Sequence, residues 1–222
     1  MSKVTTLLFY FVMFFGTMLI SCSQTTVTNP PKNVSLQLND TTLSNAYITD
    51  YYPNTNFKND GDFAAIAWLD SSHIGYIGRT IFNIDLSFIP QNATVTSAQL
   101  ILNYDRFPIH YGGPGHNKDS GSNACYMQRI TQSWRVDSVN WSNQPATTTS
   151  EQISLNASTS FDENYTVDMT TVIGDMVTYP SSNFGFILRL QIESPIRALA
   201  FSSGSTSNLS YRPVLQVTYT TP

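Results

Sequence analysis

Aromatic rings and polar side chains occur together in segments of this sequence that have the composition of loops, where they could bind a sugar. Flat rings stack on the C–H faces of a sugar, while amides, carboxylates and guanidinium groups bind its hydroxyls. Loops are the usual place for such groups because they form many binding sites. This chemistry makes ligand-binding candidates of Tyr51, Tyr52, Asn54, Trp68, Tyr76, Tyr111 and Arg79. The alternative is that each ring is an ordinary exposed side chain.

A second group of polar residues could bind a metal ion. The segment YYPNTNFKNDGD contains oxygen ligands of the type that Ca²⁺ prefers, although not in the order of an EF-hand. We therefore expect no cofactor other than a structural Ca²⁺ that fixes a loop. Its predicted ligands are Asn54, Asn56, Asp60 and Asp62. A zinc site formed by His73, His110 and His116 is a weaker alternative, because histidines in a glycine-rich loop are poor evidence for zinc.

The sequence contains no nucleophile elbow, no HExxH motif and no glycine-rich phosphate loop. Asp85, Asp105 and Asp137 could form a glycosidase pair only if the fold placed two carboxylates about 5–9 Å apart in a cleft. Spacing in the sequence does not predict such a pair. We therefore predict a protein that is not an enzyme.

The segment SWRVDSVNWSNQPA, residues 133–146, contains Trp134 and Trp141. Burying one indole removes about 150–250 Å² of surface from water, a gain that a sugar-stacking platform forgoes. We therefore expect both tryptophans to belong to the core, with Arg129 paired to Asp137 beside them.

The first 22 residues have the layout of a secretory signal, with Lys3 followed by an apolar run that ends in LISC. The run is shorter than the about 20 residues that a membrane span needs. LISC resembles a bacterial lipobox, which implies that Cys22 is acylated and becomes the new N-terminus. We expect a protein anchored by lipid in the outer membrane, facing either side; the alternative is an ordinary signal with a chance cysteine.

Charge and cysteine content narrow the class of protein. The formal net charge is −4 and no basic cluster is present, so nucleic acid is not an expected partner. The only cysteines are Cys22 and Cys125, so lipidation of Cys22 leaves Cys125 without a disulfide partner. The remaining chain has the length of one domain.

Short segments with alternating polarity, separated by Gly, Pro, Asn and Asp, predict an all-β fold. We expect a β-sandwich or jelly roll of two antiparallel sheets with one short helix, formed by residues 36–222 after a tether at 23–35. In PVLQVTYT, Leu215, Val217 and Tyr219 should face the core. The helix is predicted in DMTTVIGDMVTYP, with Val172, Ile173, Met176 and Val177 on its apolar face and Pro180 at its end. The glycine-rich segment 106–124 is predicted to be a mobile tip or a binding loop.

Four blocks of the sequence together resemble the DNRLRE domain, also classed as carbohydrate-binding module family 96. They are NAYITDYYPNTNFKND, RTIFNIDLSFIPQNATVTSAQLIL, MQRITQSWRVDSVNWSNQPA and FSSGSTSNLSYRPVLQVTY, and the resemblance as a whole covers about residues 36–219. The resemblance implies a β-sandwich of secreted or surface proteins that binds polysaccharide, including acidic polysaccharide in some members. Asn45 stands where the family often has Asp, and SSGST replaces its Ser-Arg-Glu. These departures predict that a positively charged cleft is missing.

The leading hypothesis is a lipid-anchored, non-catalytic polysaccharide-binding module at the cell envelope. The first alternative is a structural or adhesion module whose partners are other surface proteins. The second alternative is a polysaccharide lyase or hydrolase, which would show a deep cleft with paired carboxylates.

Overall fold

The computed structural model describes residues 29–222. The predicted signal segment 1–22, its lipidation site Cys22 and tether residues 23–28 therefore lie outside the described residues. Within 29–222, no helix combines the length and the hydropathy that crossing a membrane requires.

The described residues form twelve strands and one α-helix, joined by turns that include three short 3₁₀ segments. In chain order the elements are β1 (Lys32–Gln37), β2 (Leu43–Thr49), β3 (Phe57–Lys58), β4 (Asp62–Leu69), β5 (Gly75–Ile84), β6 (Thr94–Leu102), β7 (Cys125–Ile130), β8 (Thr147–Leu155), β9 (Tyr165–Asp168), α1 (Thr170–Thr178), β10 (Phe186–Leu190), β11 (Arg197–Ser202) and β12 (Val214–Thr220).

Two antiparallel sheets enclose the main core, which confirms the predicted all-β sandwich. The smaller sheet has the strand order β1-β12-β6-β9, and the larger has the order β11-β4-β5-β10-β7-β8. In the larger sheet β2 also pairs with β5, and β3 pairs with β2. In β12, Leu215, Val217 and Tyr219 are buried while Gln216 is exposed, as the alternation predicted.

The larger sheet is covered on both faces, which explains the continuous apolar run in β4. Side chains that alternate with those of the main core form two further clusters. The tryptophan cluster consists of Ala46, Ile48, Ile81, Ile130, Val139 and Ile187, with Trp134, Trp141 and Phe184 packed against it. The tyrosine cluster consists of Tyr47, Ala64, Ile66, Tyr111, Ala198 and Ala200, with Phe57 and Trp68 packed against it.

The helix α1 has the predicted apolar face, since its buried residues are Val172, Ile173, Met176 and Val177. It begins at Thr170, whose main-chain N–H donates to Asp168 Oδ1 at 2.9 Å. It ends at Thr178, before Pro180 starts a 3₁₀ turn. The four buried side chains belong to the main core between the sheets.

The folded domain begins earlier than the sequence predicted. Lys32 to Ser35, which were assigned to the tether, lie in β1 and pair with Gln216 to Tyr219 of β12. The strand lies at a sheet edge and exposes four of its six residues, so its composition resembles that of a linker. The strands β3, β8 and β9 were also not predicted; β8 is largely polar and half exposed, which weakens the alternation in its sequence.

The segment 133–146 packs on the larger sheet instead of lying in the main core. Both of its tryptophans are partly buried against the tryptophan cluster, and Trp134 Nε1 donates to the main-chain oxygen of Phe184 at 2.7 Å. The predicted role of these rings in packing is therefore confirmed, although in a cluster outside the sandwich.

The predicted ion pair between Arg129 and Asp137 is wrong. Arg129 lies in β7 and binds Glu151 at 2.9 Å and Asp175 at 2.6 Å. Asp137 lies in the loop beside β3 and binds Lys58 at 2.9 Å. The register of β7 directs Arg129 toward β8 and α1, and a sequence pattern does not contain that information.

Candidate functional site

Exposed tyrosine rings lie beside the turn that joins β4 to β5. Tyr51 and Tyr52 follow β2 and are 42% and 54% exposed, with ring centroids 4.8 Å apart at 84°. The ring of Tyr76 in β5 lies 5.4 Å from that of Tyr51. Tyr51 donates its hydroxyl to Asp70 Oδ2 at 3.2 Å, which orients this ring. The arrangement offers aromatic faces of different tilt within one patch.

A row of ring contacts links this patch to the long loop 105–117. The centroid of Phe57 is 6.1 Å from that of Tyr52 and 6.2 Å from that of His110. His110 stacks on Tyr47 with centroids 3.7 Å apart, and its main-chain oxygen accepts the hydroxyl of Tyr76. The imidazole of His110 is therefore held between the patch and the start of β4.

Beside His110 the surface forms a groove of about 560 Å³. Phe107 and Ile109 at its edge are 77% and 69% exposed. The guanidinium of Arg106 lies 5.3 Å from the ring centroid of Phe107. The other residues that line the groove are Gly61, Asp62, Asp105, Ser202, Ser205, Thr206, Ser207, Asn208 and Tyr211. The groove combines apolar side chains with carboxylates and hydroxyls, as sugar recognition requires.

A cleft of similar size, about 600 Å³, lies between α1 and the turn after β5. None of its lining residues is aromatic, and Asp85 is its single charged residue. The groove beside His110 is therefore the better candidate for a ligand that needs a ring to stack on.

Carboxylates gather at the start of β4 next to the groove. Asp60 Oδ2 lies 3.0 Å from His110 Nε2, and Asp62 Oδ2 accepts the main-chain N–H of Ile109 at 2.6 Å. Burial raises the pKa of Asp62 to about 7, and the charges of Asp60 and Asp105 add to this effect while His110 opposes it. Burial also raises the pKa of Asp105 above its ordinary value. This end of the site is thus a buried, acidic pocket.

The two places where this sequence departs from the pattern of the family that it resembles lie close to Asp60. Asn45, which is fully buried, donates its side-chain amide to the main-chain oxygen of Asp60 at 3.2 Å. Ser203, in the segment that replaces Ser-Arg-Glu, donates its hydroxyl to the same oxygen. An aspartate at position 45 would be unable to donate this bond when ionised. The side chains at both places therefore hold the main chain of Asp60 at the acidic pocket by hydrogen bonds.

The predicted ligand-binding residues separate into two groups. Tyr51, Tyr52 and Tyr76 lie together in the exposed patch. Trp68 is the cross-strand neighbour of Tyr76 and is partly buried. Asn54 is exposed in the same loop as the first two tyrosines. Tyr111 is only 3% exposed, because it packs in the tyrosine cluster with its ring 4.9 Å from that of Trp68, so it has no free face for a sugar.

Arg79, which was also predicted to bind a ligand, has a structural role. Its guanidinium donates to both oxygens of Glu193 at 2.7 Å and to Gln144 Oε1 at 2.7 Å. It also lies 4.5 Å from the ring centroid of Trp141. These contacts use its donors and one face of its plane, so Arg79 holds segment 133–146 on the sheet.

The predicted metal ligands do not all meet. Asp60 and Asp62 come together with His110, and the atoms they offer lie within 4.8 Å of one another. Asn56 instead donates its amide to the main-chain oxygens of Val136 and Val139 at 2.9 and 2.6 Å. The sequence therefore identified the acidic pair, but it assigned His110 to an alternative zinc site with His73 and His116 and not to this pair.

The three histidines do not form a zinc site in the described residues. His116 is buried, where its Nε2 donates to the main-chain oxygen of Glu163 at 2.8 Å and its Nδ1 accepts from Ala200 N at 3.1 Å. His73 is exposed in the β4–β5 turn, and its φ of 61° is in the left-handed region. Only His110 joins the carboxylate group.

Sequence reasoning missed the residues that shape the groove, above all Phe107, Ile109 and Arg106. The segment RFPIHYGGPGH is a predicted binding-loop candidate, but the ring that the sequence singled out in it, Tyr111, is buried, whereas Phe107 is exposed. An irregular loop has no periodicity from which exposure could be read. Among the carboxylates considered for catalysis, Asp105 lines the groove, whereas Asp137 pairs with Lys58.

Comparison with known protein families gives a match for this chain. The family model described as carbohydrate-binding module family 96 matches residues 38–219. No curated protein matches the sequence. The match extends over most of the chain and includes every strand from β2 to β11 and nearly all of β12. The chain therefore belongs to carbohydrate-binding module family 96.

Proposed function

We propose that this protein binds a polysaccharide chain along the surface that runs from Tyr51 and Tyr52 to the groove at Phe107. The observation that carries the proposal is a row of ring contacts that leads from the exposed tyrosines toward the groove. Contacts of Tyr52 with Phe57, and of Phe57 with His110, connect the tyrosine patch to the residue that follows Ile109 of the groove. An extended ligand can thus stack at both ends of one surface, with hydroxyl-binding groups in between.

The charges of this surface favour a neutral polysaccharide. Its charged groups are mainly carboxylates, namely Asp60, Asp62 and Asp105. Arg106 is the exposed cation at the groove, since the guanidinium of Arg79 is bound by Glu193 and Gln144. Uronate carboxylates would meet like charges here, which is unfavourable.

Affinity electrophoresis tests this function directly. The purified chain is run in native gels that contain neutral glucans, mannans or xylans, or the uronate polymers alginate and pectate, with and without EDTA. Retardation by at least one neutral polymer is expected, and strong retardation only by uronates would contradict the neutral preference. If no polymer retards the protein, the polysaccharide function fails. A glycan-independent protein partner recovered from crosslinked membranes would then select the alternative of a structural or adhesion module.

The same polymers test the alternative of an enzyme. The groove contains the carboxylates of Asp62 and Asp105, the residue type that a hydrolase would use. The pKa of each is raised, whereas a glycosidase needs one carboxyl that remains readily ionised. We expect binding without release of reducing ends or unsaturated products, and product formation lost in Asp105→Asn would establish the enzyme instead.

The lipobox-like LISC supports a second part of the proposal, that Cys22 is acylated and holds the domain at the outer membrane. Several acyl chains on one cysteine exceed the two-signal requirement for stable anchoring, at about 0.8 kcal/mol per buried CH₂. The protein would then retain a polysaccharide at the cell envelope. Protease treatment of intact cells would report whether the domain faces outward.

A further inference from the structure

The carboxylates of Asp60 and Asp62 and the imidazole of His110 lie together in a nearly closed pocket. One ligand atom from each lies within 4.8 Å of the other two, and Asp60 Oδ2 is 3.0 Å from His110 Nε2. The side chains of Asp60 and His110 are 10% and 15% exposed, and Asp62 is 1% exposed. Such burial distinguishes this group from the exposed acidic clusters that are common on protein surfaces.

The pocket contains more negative than positive charge. Asp60 and Asp62 share one imidazole, and Asp105 adds a further carboxylate close by. Buried charges are normally paired or bound to a metal ion. Asp62 Oδ2 accepts the main-chain N–H of Ile109 at 2.6 Å, which leaves Oδ1 for another partner. A divalent cation would balance the charge that the imidazole alone cannot.

A buried hydroxyl provides an independent indication of a missing polar partner. Tyr111 is 3% exposed, and within the described residues its hydroxyl has no hydrogen-bond partner. Burial raises the pKa of Tyr111, and the charges of Asp62 and Asp105 add to this effect. An unpaired hydroxyl in such a position loses the hydrogen bond that it makes in the unfolded chain. A polar partner is therefore missing beside the acidic pocket.

We propose that Asp60, Asp62 and His110 bind one Zn²⁺ ion. Zinc takes imidazole nitrogen at about 2.0–2.1 Å and carboxylate oxygen at about 2.0–2.2 Å, usually with four ligands in a tetrahedron. Tetrahedral ligands at these lengths lie about 3.3 Å apart. The Asp60–His110 pair, at 3.0 Å, is close to that spacing, so small movements of these side chains and of Asp62 complete a three-residue site with one open position.

The chemistry of the ligand set favours zinc over calcium. Calcium takes six to eight oxygen ligands, whereas this pocket offers an imidazole and two carboxylates. The oxygens of Asn54 and Asn56 would be needed for a calcium site, but the amide nitrogen of Asn56 donates to the main-chain oxygens of Val136 and Val139, which directs this side chain toward segment 133–146. Imidazole is a preferred ligand of zinc.

The ion would fasten the long loop to the sheet. His110 belongs to the loop, whereas Asp62 begins β4 and Asp60 precedes that strand, fifty residues before His110 in the chain. The loop covers the tyrosine cluster and supplies Phe107 and Ile109 to the groove. Zinc binding would thus stabilise the wall of the groove, and it does not depend on which ligand the groove binds.

Isothermal titration of the metal-free chain with Zn²⁺ and Ca²⁺ tests the proposal. One Zn²⁺ per chain is expected, with affinity reduced at least tenfold in His110→Gln and in Asp60→Asn. The matched controls are His73→Gln, an exposed histidine in the β4–β5 turn, and Asp137→Asn, an exposed carboxylate that binds Lys58. Both controls should retain the zinc affinity of the unaltered chain.

X-ray absorption of the zinc-loaded chain keeps the test valid if a variant fails to fold. One imidazole with oxygen donors and no sulfur would support the site. No saturable zinc binding, zinc binding unchanged in folded His110→Gln, calcium binding without zinc binding, or a spectrum without imidazole would each overturn it. Failure of polysaccharide binding would leave these outcomes unaffected, so the two proposals can be judged separately.

Discussion

The guanidinium of Arg79 and the carboxylate of Glu193 form a bidentate ion pair, with Nε–Oε1 and Nη2–Oε2 distances of 2.7 Å. The pair is well shielded, since the side chains are 13% and 12% exposed. Gln144 accepts a further hydrogen bond from Arg79, and the indole of Trp141 lies against the guanidinium. The segment that best identifies the family is therefore held to the sheet by an arginine from β5.

Removing one partner of this pair should destabilise the fold strongly. Arg79→Met leaves the carboxylate of Glu193 buried with Arg189 as its remaining cation, and losing one partner of a buried pair costs about 3–5 kcal/mol of unfolding free energy. Urea denaturation measures the change. The exposed pair Lys58–Asp137 provides the control, because Asp137→Asn should leave the midpoint unchanged. Equal effects of the two substitutions would contradict the structural role of Arg79.

Acid should weaken the fold through His116. Its Nε2 donates to the main-chain oxygen of Glu163 and its Nδ1 accepts from Ala200, so the neutral ring is fully bonded. Burial lowers the pKa of His116, although the charges of Glu163 and Asp162 oppose this effect. The unfolded chain binds the proton below pH about 6.5, while the folded chain resists it. The contribution of His116 to stability is therefore lost as the pH falls below about 6.5.

The variant His116→Gln isolates this effect. The pKa of Asp62, raised to about 7, produces the opposite trend, because the folded chain then binds a proton that the unfolded chain releases above pH about 4. Unfolding free energies are measured in EDTA from pH 7.5 to 5 for both chains. The stability advantage of the unaltered chain over His116→Gln should shrink as the pH falls, and a constant difference would contradict the assignment.

Truncating the exposed rings should weaken polysaccharide binding without unfolding the protein. Tyr52→Ala and Phe107→Ala each remove one stacking face, and loss of an aromatic anchor should reduce affinity about fivefold to thirtyfold. Tyr179→Ala is the matched control, because Tyr179 is 60% exposed but follows α1, away from the groove. Affinity electrophoresis supplies the dissociation constants, and circular dichroism verifies folding. Binding that depends on Tyr179 but not on Tyr52 would place the ligand elsewhere.

Acylation should require Cys22 and be independent of Cys125. In bacterial cells labelled with an alkyne analogue of palmitate, Cys22→Ser should lose the label and leave the membrane fraction. Cys125→Ala should keep both the label and the membrane association. Cys125 lies fully buried in β7, where burial raises the pKa of its thiol well above its usual value, so this thiol is not available for acylation. Labelling that persists in Cys22→Ser would show that the LISC motif is not a lipidation site.

The family and the sandwich could be predicted because both depend on information that is local in the chain. Alternation in β12 assigns Leu215 and Val217 to the core, and the i, i+1, i+4 spacing of Val172, Ile173 and Met176 assigns the buried face of α1. Each pattern follows from the period of a strand or a helix. The ordered sequence blocks likewise identified the family without any knowledge of contacts.

Only the tertiary structure decided how the site is built. The role of Arg79 depends on Glu193, more than a hundred residues later, and His110 meets Asp60 across fifty residues. In the loop, Tyr111 is buried and Phe107 exposed, although both are aromatic residues in the same irregular segment. In a strand or helix the backbone conformation repeats, so the direction of a side chain follows from its position in the sequence. In a loop that direction is set by the surface on which the loop packs. The sequence by itself therefore determined the sheets and the family, and the packing of the loops on those sheets determined which side chains can meet a ligand.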